Sequence, residues 1–108
     1  MTTFDSRERA FENKYAHDLE REFKTNARRN KLFGLWAAER LGMDQIIAQE
    51  YAQQTVIADF EAQSSHKAVV SKVKQDLADA GIELTYSELT EVYEDLIESA
   101  INQLEKGA

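Results

Sequence analysis

No proline interrupts the 108 residues, and four glycines are the only other strong breakers among long stretches of Leu, Ala, Glu, Lys, Arg and Gln. Inside a helix proline costs about 3 kcal/mol and glycine about 1 kcal/mol, whereas those six residues are good helix formers. An all-α fold follows, and the length suits one domain with one modest core. Apolar spacing places the helices at about 20–41, 44–62, 66–80 and 86–106. Leu32, Phe33, Leu35, Trp36, Ala37, Ala38 and Leu41 form a dense group wide enough to face a core, which puts Trp36 inside it. Gly34 lies within that group, where it would allow a close helix approach or a bend.

The remaining helices carry their own signals. Gly42, Gly81 and Gly107 stand where helices should stop, and Asp44 can cap the second helix. Ile46, Ile47, Tyr51, Val56, Ile57 and Phe60 give that helix its apolar stripe. Gln63, Ser64 and Ser65 form the next break, followed by Val69, Val70, Val73 and Leu77. Thr85 and Glu88 form a capping box ahead of the last stripe, from Leu89 to Leu104. Short connections favour antiparallel neighbours, so the expected architecture is a four-helix bundle.

The N-terminal segment differs from the rest. Phe4, Phe11, Tyr15, Leu19 and Phe23 recur at spacings of seven, four, four and four, which makes one narrow stripe on a helix that is otherwise charged. Such a stripe buries little area, so residues 1–18 are expected to be an arm, helical or disordered, on a bundle of residues 19–108. Charge divides similarly. Residues 1–31 hold eight Lys/Arg and six Asp/Glu, whereas residues 32–108 hold five and fourteen. A mildly basic arm is joined to an acidic body.

The chemical inventory is thin. With no cysteine, disulfides and thiolate chemistry are excluded. His17 and His66 have no second ligand at helical metal-site spacing, so no metal is expected, and there is no Gly-rich phosphate loop. Glu91, Glu94, Asp95 and Glu98 lie opposite the apolar stripe of the last helix and read as a solvated face. No catalytic residue and no enzyme activity are expected. A net charge of −7 argues against nucleic acid as a partner. No apolar run approaches a membrane span, and the N-terminus lacks a signal-peptide region, so a cytoplasmic protein is expected. An amphipathic membrane anchor is a poorer reading, because acids are interspersed with the bases of the arm. Arg28, Arg29 and Lys31 form a basic cluster with two readings: a weak adenine-nucleotide site, which would make the chain a small nucleotide-sensing module, or a helix exterior that meets an acidic partner.

Two stretches, TTFDSRERAFENKYAHD at residues 2–18 and RRNKLFGLWAAERLG at residues 28–42, closely resemble the zeta subunit of alphaproteobacterial F-type ATP synthases, an intrinsic ATPase inhibitor family. YAQQTVIADFE and KVKQDLADAGIELT extend the resemblance over almost the whole chain; only the connection Gln63–Lys67 is less acidic than in the family. The resemblance implies a four-helix bundle with an inhibitory N-terminal region. That region would enter a catalytic interface of the ATPase head near the rotor and block ATP hydrolysis. The partners would be that catalytic head and rotor, met by a free monomer at the periphery of the inner membrane. On this reading Phe4, Phe11 and Tyr15 are the anchors, and Arg7, Arg9 and Lys14 pair with acidic groups or fix register.

Overall fold

The computed structural model describes the backbone of residues 3–61 and 66–106 and the side chains of residues 18–59 and 66–106. The described residues form four α-helices and no strand: α1 (Thr3–Arg40), α2 (Gln45–Glu61), α3 (His66–Asp79) and α4 (Tyr86–Glu105). The arm's side chains, Gly107 and the break at Gln63–Ser65 lie outside the described side chains.

The helix stops follow the glycines. Gly42 and Gly81 have φ of +75° and +83°, a conformation that costs other residues steric strain. At each, the glycine N–H bonds back three residues and the following N–H bonds back five: Gly42 to Glu39 and Met43 to Ala38, then Gly81 to Ala78 and Ile82 to Leu77. This pairing satisfies carbonyls that a helix end leaves open. The starts are capped as expected. Asp44 Oδ1 accepts from Ile47 N at 2.9 Å, and Thr85 Oγ1 accepts from Glu88 N at 3.1 Å.

α1 is the helix against which the other three pack. Its buried residues come in adjacent pairs every four positions: Arg29 and Asn30, Phe33 and Gly34, Ala37 and Ala38. Phe33 is fully buried, with its ring edge-on to Tyr93 of α4 at 5.1 Å between centroids. Val69, Val70, Val73 and Leu77 of α3 and Leu89 of α4 complete the centre. Tyr51 of α2 donates to Asp76 of α3 at 2.7 Å, and Lys72 joins the same carboxylate at 2.8 Å.

Two expectations need correction. Trp36 is only half-buried: it stacks on the outer side of Phe33, and the Arg40 guanidinium lies 3.9 Å above its ring. Phe33, not Trp36, fills the centre. The stripe expected on α2 is divided: Tyr51 is buried, Val56 is half-buried, and the side chain of Phe60 lies outside the described residues. Ile46 is 75% exposed, and Ile47 and Ile57 are 48% and 47% exposed. The buried face is Tyr51, Ala52, Thr55 and Asp59. The cause is Gly34. A Cβ built there would lie 2.7 Å from Ala52 Cα and 2.7 Å from Thr55 Oγ1, so α2 must turn its small residues to α1.

Gly34→Ala is therefore expected to destabilise the fold by about 1–3 kcal/mol through overpacking, although alanine in a helix interior normally gains about 1 kcal/mol over glycine. Urea denaturation reads the sign, and a stabilised variant would show that the helices are not in backbone contact.

Candidate interaction surface

The charged spacing of α1 sorts its side chains onto different faces. Arg28 and Arg29 are neighbours in sequence and part company in space. Arg28 Nη1 donates to Gln103 Oε1 on α4 at 2.9 Å. Arg29 turns inward and is 9% exposed, with its guanidinium 4.3 Å from the centre of the Tyr93 ring. Lys31 is exposed and shares a groove with Arg21, Lys24 and Arg28. The groove is floored by Ala27, Val56, Ile101 and Leu104. The three cations singled out in sequence thus divide, with two at the groove and one inside.

The inward side holds a polar cluster that the apolar pattern does not reveal. Tyr93 Oη donates to Asn30 Oδ1 across α4 and α1. His66 Nδ1 lies 3.0 Å from Tyr93 Oη, and Arg29 Nη2 lies 3.4 Å from His66 Nε2. One neutral tautomer fits both contacts: Nδ1–H donates to the phenol oxygen and Nε2 accepts from the guanidinium. Asn30 is fully buried and Asp59 is 6% exposed. Burial pushes the Tyr93 phenol up from its ordinary value, the Arg29 guanidinium opposes that rise and the Asp59 carboxylate adds to it. Burial and the hydrogen bond to Asp76 likewise raise Tyr51. His66 looks like a simple helix start in sequence. The available signal for this cluster was Arg29 and Asn30 occupying the same four-residue repeat as Phe33 and Ala37.

The aromatic stripe of the arm continues onto described residues. Leu19 is 49% exposed and Phe23 57% exposed, on a stretch of α1 with Glu20 and Lys24 paired at 3.0 Å. The side chains of Phe4, Arg7, Arg9, Phe11, Lys14, Tyr15 and His17 lie outside the described residues. Among the described residues, no group of three His, Cys, Asp or Glu could hold a metal, and no helix is long and apolar enough to cross a membrane. The acidic residues Glu91, Glu94, Asp95 and Glu98 are exposed, as their spacing indicates.

The described residues offer surfaces for contact. The profile of the family ATPase inhibitor subunit zeta matches residues 1–103. The chain belongs to that family. Its role is therefore ATPase inhibition, in association with an ATP synthase. A solved chain titled "Solution NMR structure of the protein" is 41% identical, with a TM-score of 0.67 over 81% of this zeta-family chain and 98% of that one. No curated protein matches.

Tyr93→Phe is expected to cost about 1–3 kcal/mol, because Asn30 is left buried without its donor. Stability should also fall as pH rises. Both phenols have folded values above the value of about 10 expected in the unfolded chain, so the unfolded state loses these protons first. Their contribution is complete below about pH 10 and is lost above it. Urea denaturation at neutral and alkaline pH checks this, with Tyr51→Phe expected to show a smaller alkaline loss.

Proposed function

We propose that this zeta-family chain inhibits an F-type ATP synthase by laying an N-terminal arm, residues 1–18, into a catalytic interface of the ATPase head near the rotor, while residues 19–108 form the bundle that carries it. The observation that supports this reading is the exposure of Leu19, 49%, and Phe23, 57%, which continue the spacing of the arm's stripe. At about 1.5 Å per residue, the 38 residues of α1 span more than twice the length of α2, with 17. An aromatic stripe at helical spacing fits the helix-in-groove mode of recognition. Phe4, Phe11 and Tyr15 would be the anchors, and Arg7, Arg9 and Lys14 would steer the approach. The chain acts as a non-catalytic monomer on the cytoplasmic side, at the periphery of the membrane-bound complex.

Deleting residues 1–18 is expected to leave the bundle folded, because among the described residues the buried seam begins at Arg29. The same deletion should abolish inhibition of ATP hydrolysis by the cognate head. Phe11→Ala and Tyr15→Ala should each weaken binding by about 2 kcal/mol or more, as truncation of an interface anchor does. Hydrolysis assays with the deletion and point variants decide it. A truncated chain that inhibits as well as the full one overturns the reading.

A second reading has one observation in its favour. The groove with Arg21, Lys24, Arg28 and Lys31 encloses about 830 Å³, within the range of about 300–1,000 Å³ usual for ligand sites. Weak adenine-nucleotide binding there would shift the amide resonances of Lys24 to Lys31 on ATP titration. Unchanged resonances at millimolar ATP would remove it.

A further inference from the structure

We infer that this same groove is a second docking site, for an acidic amphipathic helix of the partner complex; the identity of the complex rests on the reading above. Arg21, Lys24, Arg28 and Lys31 follow one another at spacings of three, four and three, which sets them in one row along α1. At about 1.5 Å per residue the row is about 15 Å long, close to three helical turns. Two carboxylates, Glu20 and Glu105, also line the groove. Among the described residues, four cations against two anions leave the groove positive on a chain whose net charge is −7. Two ion pairs seen among the described residues, Lys24 with Glu20 at 3.0 Å and Arg21 with Glu105 at 3.5 Å, have side chains about 60% exposed. Exposed pairs of this kind contribute little, so their cations remain open to a better partner. Lys31 is exposed, and no hydrogen bond or ion pair holds it among the described residues.

The floor supplies the other half of the complement. Ile101 is 36% exposed, and Val56 and Leu104 are half-buried. A positive row beside an apolar floor is the reverse image of a helix with carboxylates on one edge and aliphatic side chains beside them. Nucleic acid fits poorly, because the rest of the surface is strongly acidic. A second copy of this chain is the competing occupant, since its α4 exposes Glu91, Glu94 and Glu98 at spacings of three and four, and sedimentation separates it from a foreign helix.

The arm and the groove then make two separate contacts, and the variants separate them. Lys24→Gln with Lys31→Gln removes two charges from the groove; Lys67→Gln with Lys74→Gln removes two exposed charges from α3. Both full-length double variants should melt like the parent. Association with the cognate ATPase head, followed by stopped flow over a range of salt, should slow about tenfold at low salt for the groove pair, with a shallower salt dependence. The α3 pair should behave like the parent. Equal slowing by both pairs, or none by either, overturns the proposal. A synthetic amphipathic helix with Glu at spacings of three, four and three, added to the full chain, is expected to shift the resonances of Ala27, Val56, Ile101 and Leu104; its Lys counterpart is not. No shift at those residues, or self-association in sedimentation that the groove pair abolishes, also overturns it. If the parent chain fails to inhibit the head while the peptide binds the groove, the functional reading falls and the docking site stands.

Discussion

Where Gly34 meets Ala52 and Thr55, α1 and α2 come together at backbone distance, and that contact orients most of the bundle. With α2 drawn in this far, its larger aliphatic residues cannot share the same face. Ile46, Ile47 and Ile57 are displaced outward, and Tyr51 is carried to the side where it reaches Asp76. Phe33, one residue before the glycine, is thereby directed at Tyr93. The arrangement spends the helix propensity of one position on close packing, which returns dispersion contacts over the whole seam.

The second tie is polar. Asn30 and Tyr93 join α1 to α4, and His66 brings the start of α3 to the same point. A buried network of this kind is stabilising only while its members are satisfied, and here Arg29 Nε, Asn30 Nδ2 and Asp59 Oδ1 find no partner among the described residues, so its contribution lies in how the helices pair. Aliphatic residues at these positions would pack with fewer geometric demands. The network therefore favours one mutual arrangement of three helices over neighbouring registers, a role that polar core residues are known to fill in helical assemblies.

The fold was legible where the signal is local. Glycine stops at 42 and 81, caps at Asp44 and Thr85, and the stripes of α3 and α4 all depend on residues within one or two turns of each other. What was illegible depends on partners distant in the chain. The inward face of α2 is chosen by Gly34, eighteen or more residues away, and no periodicity within α2 reports it. Trp36 is the largest residue of the apolar group, yet the paired repeat of α1 passes through Phe33 and Ala37 and leaves Trp36 at the edge. The basic cluster was visible in sequence, but its division into Arg29 inside and Arg28 with Lys31 outside follows from the roughly 100° turn between successive helical residues. The aromatic stripe of the arm is plain in sequence, and its described continuation, Leu19 and Phe23, is open to solvent.

Growing the arm from the same helix that forms the core has an energetic consequence. An isolated helix of 18 residues must first nucleate, with a factor of about 10⁻³, equivalent to about 4 kcal/mol. A helix already anchored at Arg29 to Ala38 has its nucleus in place, so extension adds hydrogen bonds without that cost. Residues 18–25 are the first step of such extension. Glu20 pairs with Lys24 and Thr25 Oγ1 donates to Arg21 O, both within the helix, and Arg21 reaches Glu105 of α4 at 3.5 Å. On the proposed reading, the bundle would serve binding by lowering the ordering cost that a free peptide of the same sequence would bear on entering a groove. This also explains why stability and recognition can be separated along one helix. Its C-terminal half is fixed by Phe33, Gly34 and the polar tie, and the described residues ahead of that seam include Leu19 and Phe23, each about half exposed.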